Sequence, residues 1–280
     1  MDAEGFLAEC ARRVDARLTR ELAGVQAPPA LLAAMRHLIF PGGKRLRPAV
    51  VFAACRAAGG PLDAALGSAA AVELIHTYSL IHDDLPCMDD DQLRRGRPTV
   101  HIAHGEALAV LAGDALQALA FETLARSESA SGPGLGGVGE LARAAGASQL
   151  VGGQADDLAF AGAADRVTLA REIASIHRRK TAALFATSAA LGARSAGAPR
   201  DLRERLARAG EAMGMAFQIA DDCLDRNRAE ACSVLRVHGP EEALAHAAEN
   251  VEGALEELRS LGEAAEPFRQ LARFAVRRDR

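Results

Sequence analysis

The 280-residue sequence has no tryptophan, a single tyrosine and no pair of cysteines in a C-x-x-C pattern. Its five cysteines are scattered along the chain, which disfavours a disulfide framework or a structural zinc site and favours reduced thiols in a cytoplasmic protein. A net charge of −4 supplies no basic surface for nucleic acid. Because alanine dominates and β-branched residues rarely cluster, long helices are favoured over strands.

Long uninterrupted apolar runs are also missing. No apolar stretch reaches about 18 residues without a charge or a glycine, so we expect no membrane span. The first segment, MDAEGFLAECARRVDARL, lacks the charged start and apolar run of a signal peptide and predicts an amphipathic helix. The hydrophobic content of 49% is sufficient for a large core.

Helical periodicity recurs between short breaks rich in glycine and proline. The breaks fall at residues 26–30, 40–48, 59–63, 94–99, 129–137, 192–201 and 237–242. The segments between them have the lengths of helices in a large bundle, and we find neither a repeat nor a β-α-β alternation. The sequence therefore predicts one all-α domain over residues 1–280.

The stretch LIHDDLPCMDDD at 80–91 places five aspartates directly after an apolar run. Like charges at the carboxyl end of a predicted helix oppose the helix dipole unless a cation neutralises them, and Mg²⁺ prefers oxygen ligands. On a straight helix Asp90 would share a face with Asp83, whereas Asp89 would point away. Since Pro86 predicts a kink, spacing alone leaves the choice between them open. A solvated acidic helix end is the alternative interpretation.

A second acidic stretch, FQIADDCLD at 217–225, carries Gln218, Asp221, Asp222 and Asp225 at i, i+3, i+4 and i+7, so that all four line one helical face. Two acid-bearing helices can hold metal between them. Mg²⁺ usually takes few protein carboxylates together with substrate phosphates, so paired acidic clusters imply a phosphorylated ligand. A di-iron site would need Glu-x-x-His pairs, which neither cluster supplies.

Three basic stretches complete the pattern: PGGKRLRP at 41–48, LRRGRPT at 93–99 and HRRKT at 177–181. Arginine suits bidentate phosphate contacts, although each stretch alone is also consistent with a solvated basic turn. The glycines of LVGGQ at 150–154 indicate either a close helix crossing or a ligand contact. Together the stretches supply carboxylates for metal, cations for phosphate and apolar helices for an apolar substrate body.

The chain resembles the short-chain trans-prenyl diphosphate synthases, in particular the bacterial farnesyl diphosphate synthases. The shared motifs run in the order GGKRLRP, HTYSLIHDDLPCMDDDQLRRGRPT, VGGQ, KT and FQIADDCLD. The resemblance implies a single large helical bundle of the isoprenoid synthase type around a deep apolar tunnel, normally a homodimer. It further implies that isopentenyl diphosphate is condensed with dimethylallyl or geranyl diphosphate, assisted by several Mg²⁺ ions bound with the substrate diphosphate.

The same resemblance assigns roles to the matching residues. The implied metal ligands are Asp83, Asp84 and Asp89 in the first cluster and Asp221, Asp222 and Asp225 in the second. The residues implied to hold isopentenyl diphosphate are Lys44, Arg47, His76 and Arg95, and those implied to border the allylic substrate and assist its ionisation are Arg94, Lys180, Thr181 and Gln218.

Product length is predicted from Tyr78, which lies about 7.5 Å before Asp83 along a helix. An aromatic residue there resembles the farnesyl (C15) type of the family. A geranylgeranyl (C20) product is the alternative, and a core tyrosine with a satisfied hydroxyl group is the plain structural interpretation.

The resemblance fails after Asp225, where a glycine- and lysine-rich loop is expected but the sequence reads RNRAEACSVLRVHGPEEA. Either Arg226 or Arg228 supplies the missing charge, or the sequence omits part of a loop, or the chain is a weak or non-catalytic partner subunit of a prenyl synthase. A phosphohydrolase of the HD type, suggested by His82 and Asp83, leaves the second acidic cluster unexplained. A terpene cyclase would not need the second diphosphate site that GGKRLRP and LRRGRPT indicate.

Overall fold

A computed structural model describes residues 2–131, 135–224 and 232–277, and these fold almost entirely as helices. The α-helices of this part of the chain are α1 (Ala3–Ala23), α2 (Pro29–Ile39), α3 (Leu46–Ala57), α4 (Leu66–Asp83), α5 (Val100–His104), α6 (Glu106–Ser131), α7 (Gly136–Ala145), α8 (Leu150–Leu158), α9 (Arg166–His177), α10 (Ala183–Ser195), α11 (Arg200–Leu224), α12 (Pro240–Leu258) and α13 (Glu266–Phe274). The all-α prediction is confirmed.

Shorter elements connect these helices. A π-helical turn, Arg178–Ala182, joins α9 to α10, and 3₁₀ turns lie at Leu62–Ala65, Val234–Arg236 and Glu263–Ala265. The only strands among the described residues, β1 (Leu93–Arg94) and β2 (Arg97–Pro98), pair as a short antiparallel hairpin.

The chain divides into two compact units. The first comprises Met1–Phe6, Val50–Ala65 and Gly139–Arg280, and the second comprises Leu7–Ala49 and Leu66–Val138. The prediction of one domain over residues 1–280 stays a prediction.

The second unit is organised around α4, which packs against α6. Twelve residues of α4 are buried, as expected of a helix that is apolar on nearly every side. Gly67 permits the close contact with α6, because a Cβ atom there would lie 1.7 Å from Oγ of Ser127. The buried carboxylate of Glu73, also on α4, pairs with Arg45. This packing fixes the acidic carboxyl end of α4.

The first unit is organised around α11, which packs against both α10 and α12. Glycines again allow close approach: a Cβ atom on Gly214 would lie 2.7 Å from Cα of Ala182, and one on Gly210 would lie 2.6 Å from the carbonyl oxygen of Phe185. The tight packing of α11 against the π-helical turn and α10 positions the polar residues near the carboxyl end of α11.

The structure differs from the sequence-based expectations in two places. We expected α4 to continue through a kink at Pro86, whereas it ends at Asp83. We expected residues 94–99 to form a simple break, whereas they lie in the β1–β2 hairpin.

Two helical segments, Leu62–Asp83 and Glu106–Ser129, are long and apolar enough to cross a membrane by length and composition alone. Their apolar windows are 72% and 44% buried within the protein, and the core helix of a soluble protein passes the same test. The expectation of no membrane span stays a prediction.

Candidate active site

The acidic stretch after α4 folds back on itself. The amide groups of Asp84 and Leu85 donate to the carbonyls of Leu80 and His82, so the last turn tightens before the proline. The amide of Asp89 then donates to the carbonyl oxygen of Asp83 at 2.9 Å, and Asp90 adopts a left-handed φ of 53°. The backbone therefore returns to Asp83 at Asp89, which favours Asp89 over Asp90 as the third member of the cluster.

Asp84 is the buried member of this cluster. Its Oδ1 accepts from Nε of Arg94 at 2.6 Å, whereas its buried Oδ2 has no hydrogen-bond partner among the described residues. Burial raises the pKa of Asp84, although Arg94 opposes the shift. A buried carboxylate oxygen without a donor is costly unless a cation completes its coordination. The arrangement fits Mg²⁺, whose preferred ligands are oxygens.

The β1–β2 hairpin determines where Arg94 and Arg95 lie. Arg95 and Gly96 occupy its two central positions with φ values of 55° and 72°, the conformation of a type I′ turn. Arg94 leaves the hairpin toward Asp84 and also lies 3.5 Å from Asp91. The guanidinium group of Arg95 packs over Gly43, where a Cβ atom would lie 2.6 Å from it.

A concentration of positive charge surrounds His76. Nη1 of Arg47 lies 3.2 Å from Nε2 of His76. Burial, together with Arg47, Arg95, Arg94 and Arg45, holds the pKa of His76 well below its ordinary value. The ring is therefore neutral at physiological pH, and Nε2 accepts from Arg47. Several arginines close to a neutral polar ring form a favourable site for an anion such as diphosphate.

The three cations of the GGKRLRP stretch differ in burial. Arg45 is 3% exposed and donates to Asp15, to Glu73 and to the carbonyl oxygen of Ile39. A Cβ atom at Gly42 would collide with this guanidinium group. Arg45 therefore stabilises the fold.

Lys44, in contrast, is exposed, and Arg47 is partly buried. The roles that the resemblance implies for Lys44 and Arg47 stay predictions. Lys44 and Lys180 are the only two lysines of the whole sequence.

Tyr78 is 4% exposed, and its ring meets His82 edge-on at 5.8 Å. Burial raises its pKa, while a hydrogen bond with Gln117 acts in the opposite direction. The structure thus shows a core tyrosine with a satisfied hydroxyl group. Its predicted role in product length stays a prediction.

In the first unit, the π-helical turn carries Lys180 and Thr181. Nζ of Lys180 donates to Oδ2 of Asp157 on α8 at 2.5 Å, whereas Oγ1 of Thr181 donates to Oε1 of Gln218 on α11 at 2.8 Å. Gly153 permits the approach of α8, because a Cβ atom there would lie 2.5 Å from the backbone nitrogen of Lys180. Of the two interpretations of these glycines, a close helix crossing is present at Gly153.

The chain of hydrogen bonds continues to Asp222, which is 4% exposed. Nε2 of Gln218 donates to Oδ1 of Asp222 at 2.9 Å, as the i, i+4 spacing predicts. The backbone amide of Val234 donates to Oδ2 at 2.7 Å, and Nε2 of His177 lies 3.6 Å from the same oxygen. Asp222 is thus held rigidly in place.

Asp221, one residue earlier, is only partly buried. Asp225, which we predict to complete the second acidic cluster, lies outside the described residues. The same applies to Arg226 and Arg228, the candidates for the missing positive charge.

Gln154 on α8 is a candidate that sequence reasoning did not select. It is 9% exposed, and neither Oε1 nor Nε2 has a hydrogen-bond partner among the described residues. An amide buried without partners is expensive unless a ligand or water satisfies it. The sequence signal was available, since Gln154 directly follows the two glycines of VGGQ.

The structure therefore brings the predicted residues together in two groups. Within the second unit, Asp84 contacts Arg94, and Arg47 contacts His76. Within the first unit, Thr181, Gln218 and Asp222 form one hydrogen-bonded chain, and the neighbouring residue Lys180 is ion-paired with Asp157.

Comparison with known structures defines the class of fold. The crystal structure of an FPP/GFPP synthase from Zymomonas mobilis matches with a TM-score of 0.89 and 41% sequence identity, covering 98% of each chain. The fold is therefore that of the helical isoprenoid synthases.

A family model described as polyprenyl synthetase matches residues 28–232, and the chain belongs to this family. It is 47% identical over 203 residues to a chloroplastic geranylgeranyl pyrophosphate synthase of Capsicum annuum, covering 72% of this chain and 54% of that protein. It is 46% identical over 203 residues to a chloroplastic geranylfarnesyl diphosphate synthase of Leucosceptrum canum, covering 72% of this chain and 56% of that one. The chain thus spans about half the length of these curated relatives.

Proposed function

We propose that the protein is a trans-prenyltransferase that joins isopentenyl diphosphate to an allylic diphosphate in the presence of Mg²⁺. In this reaction the bond between the allyl carbon and its diphosphate oxygen breaks, and a carbon–carbon bond forms to the isopentenyl double bond. The released diphosphate accepts the proton that leaves the isopentenyl unit. The products are a longer allylic diphosphate and inorganic diphosphate. A homodimer located in the cytoplasm is part of this proposal.

The observation that carries the proposal is the pairing of opposite charges within the second unit. Oδ2 of Asp84 is a buried oxygen with no donor in the part of the chain that the structure describes, and the arginines around His76, among them Arg94, which also contacts Asp84, create a positive region. A metal-bound diphosphate satisfies both, because its cation meets the carboxylate and its phosphates meet the guanidinium groups.

The acidic residues would hold the metal ions. The proposed ligands are Asp83, Asp84, Asp89, Asp221, Asp222 and Asp225. When bound, Mg²⁺ supplies charge neutralisation of the diphosphate leaving group. The protein's own cations complement this neutralisation: Lys180 and Arg94 at the allylic diphosphate, and Lys44, Arg47 and Arg95 at isopentenyl diphosphate. His76, neutral and hydrogen-bonded, orients Arg47.

Thr181 and Gln218 are suited to stabilise a developing allylic cation. The proton of the Thr181 hydroxyl is committed to Oε1 of Gln218, whose own amide group is held by Asp222. Oγ1 of Thr181 therefore presents only lone pairs to its remaining surroundings. Such a preorganised oxygen dipole stabilises positive charge without acting as a strong nucleophile.

The proposed product is farnesyl diphosphate, because the buried ring of Tyr78 is fixed one and a half turns before the first metal cluster. The names of the relatives support a second candidate, geranylgeranyl diphosphate. The two candidates differ only in how many isopentenyl units are added before release.

The test is incubation of the full chain with radiolabelled isopentenyl diphosphate, dimethylallyl diphosphate and Mg²⁺, followed by chromatography of the products. A C15 product supports the first candidate and a C20 product the second. Asp222→Asn should abolish most of the condensation. Asp201→Asn, on the exposed first turn of the same helix, is the matched control and should leave it unchanged.

Absence of any condensation by the wild-type chain, under conditions where it binds both diphosphates, would contradict the proposal. That result would favour a non-catalytic partner subunit.

A further inference from the structure

A second cluster of possible metal ligands lies at the start of α12, apart from both acidic stretches. His238, Glu242 and His246 follow one another at intervals of four residues, and their ligand atoms all lie within 4.8 Å of one another. Glu242 and His246 share a face of the helix through their i, i+4 spacing. His238 immediately precedes the N-cap residue Gly239, so the chain enters α12 with this imidazole next to Glu242.

His238 and Glu242 are already in close contact, and this contact lowers the pKa of Glu242. Nδ1 of His238 lies 2.9 Å from Oε1 of Glu242, yet this buried nitrogen makes no hydrogen bond of acceptable geometry to any described residue. The other oxygen of Glu242, Oε2, lies 3.5 Å from Arg166. Both oxygens of Glu242 therefore have polar neighbours, and a metal ion would take the place of the contact between Oε1 and His238.

A second observation that supports metal binding is the orientation of the His246 ring by a neighbouring carboxylate. Its Nδ1 lies 3.2 Å from Oε2 of Glu249. An ionised carboxylate can only accept, so Nδ1 must carry the proton and Nε2 keeps its lone pair. A carboxylate that orients a histidine in this way is the usual outer-shell partner of a metal-bound imidazole.

We propose that His238, Glu242 and His246 form a binding site for a divalent transition-metal ion, with Zn²⁺ as the representative. Two imidazole nitrogens and one carboxylate oxygen are a known zinc ligand set, with a fourth position for water. Ligand atoms of a tetrahedral zinc ion lie about 3.4 Å apart, so the widest pair has to close by up to about 1.4 Å. Rotation of side chains that are partly exposed supplies this movement.

The ligand type separates this site from the proposed magnesium clusters. Imidazole nitrogen suits zinc, cobalt, nickel and copper, whereas Mg²⁺ selects carboxylate, carbonyl and water oxygens. An excess of Mg²⁺ therefore occupies the carboxylate clusters and leaves the histidine site accessible to zinc.

Occupancy has a structural consequence for the segment that precedes α12. The ion would attach His238 to the helix, and four residues earlier the amide of Val234 donates to Asp222. The ion would thus restrain the segment that orients this aspartate. The role of Asp222 as a magnesium ligand rests on the proposed function. Metal binding at His238, Glu242 and His246 does not depend on it.

The test uses untagged full-length protein in a Cys87→Ser background, because Cys87 is an exposed free thiol that can also bind zinc. Chelator-treated protein in excess Mg²⁺ is titrated with Co²⁺, whose visible ligand-field bands report nitrogen ligation, and then with Zn²⁺ in competition. One equivalent should bind. His246→Ala and Glu242→Gln should each weaken binding by at least about tenfold, and Glu249→Gln by about tenfold, in the range found for outer-shell partners.

The matched control is Glu252→Gln, which removes the same charge from an exposed position of the same helix and should leave affinity unchanged. Circular dichroism checks that each variant is folded. Unaltered cobalt binding in folded His238→Ala/His246→Ala protein would overturn the site, as would an equal loss in Glu252→Gln. Hydrogen exchange at the Val234 amide should slow on zinc addition, and unchanged exchange with zinc bound would overturn the restraint of the segment.

Discussion

Arg45 and Arg47 lie two residues apart in one basic stretch, yet the structure predicts opposite consequences for their loss. Arg45→Met removes the guanidinium group that pairs with Glu73, whose side chain is only 3% exposed. Removing one partner of a buried ion pair typically costs about 3–5 kcal/mol. We expect that loss in the free energy of unfolding, with the affinity of the remaining folded protein for isopentenyl diphosphate unchanged.

Arg47→Met should show the reverse pattern. Loss of its hydrogen bond to the neutral ring of His76 should lower the free energy of unfolding by about 1 kcal/mol. A hydrogen bond from a charged group to substrate contributes about 1.5–3 kcal/mol, which corresponds to a rise in KM for isopentenyl diphosphate of roughly 10- to 150-fold.

Urea unfolding followed by circular dichroism, together with steady-state kinetics, measures both quantities. The double variant Arg45→Met/Glu73→Leu is the control, since removing both buried charges should recover most of the lost stability. The reasoning is refuted if Arg45→Met raises KM without loss of stability, or if Arg47→Met destabilises the protein as strongly as Arg45→Met.

Three further predictions concern the same unit. Asp84→Asn should abolish Mg²⁺-dependent condensation and, without Mg²⁺, should raise the free energy of unfolding at neutral pH. Burial raises the pKa of Asp84, so the ionised form disfavours folding, and this gain should vanish as the pH falls to about 4. Tyr78→Ala should lengthen the product seen by chromatography and lower stability by about 3–5 kcal/mol. Stability should fall as the pH drops below about 6.5, because unfolded chains protonate His76 and the folded protein does not; His76→Asn should flatten this dependence in urea titrations.

Each of these predictions has its own control. Asp201→Asn should reproduce neither effect of Asp84→Asn, and a loss of stability in Asp84→Asn at neutral pH would contradict the account of its burial. Tyr78→Phe removes only the hydroxyl group and should keep the product length, whereas an unchanged product in Tyr78→Ala would exclude this residue from length control. A pH dependence identical in wild type and His76→Asn would contradict the stated environment of His76.

The sequence predicted the helical class correctly because alanine-rich periodic segments bounded by glycine and proline leave few alternatives. It also predicted the shared face of Gln218 and Asp222, since that depends only on helix geometry. It did not predict that α4 stops at Asp83, because Pro86 permits either a kink or an end, and tertiary packing decides between them.

The sequence also did not predict which of the charged and polar side chains are buried. Lys44, Arg45 and Arg47 are equivalent in charge, and only the structure shows that Arg45 is the buried one, held by Glu73 from a distant part of the chain. The lack of partners at Gln154 is likewise a property of the folded surroundings, which no local pattern encodes. The spacing of residues along a helix predicts which side chains share a face. The packing of several elements against one another determines which polar atoms are buried away from water.

The scarcity of lysine has a chemical consequence. Lys44 and Lys180 carry the only side-chain amines of the sequence, because every other permanently charged cationic side chain is a guanidinium group. Apart from the amino terminus, an amine-selective acylating reagent would therefore modify only these two positions, both of which we propose to bind substrate. Exposed Lys44 should react faster than Lys180, which is half-buried and ion-paired to Asp157. Bound diphosphate should shield both, so mass spectrometry of just two peptides can report occupancy of the two proposed substrate positions separately.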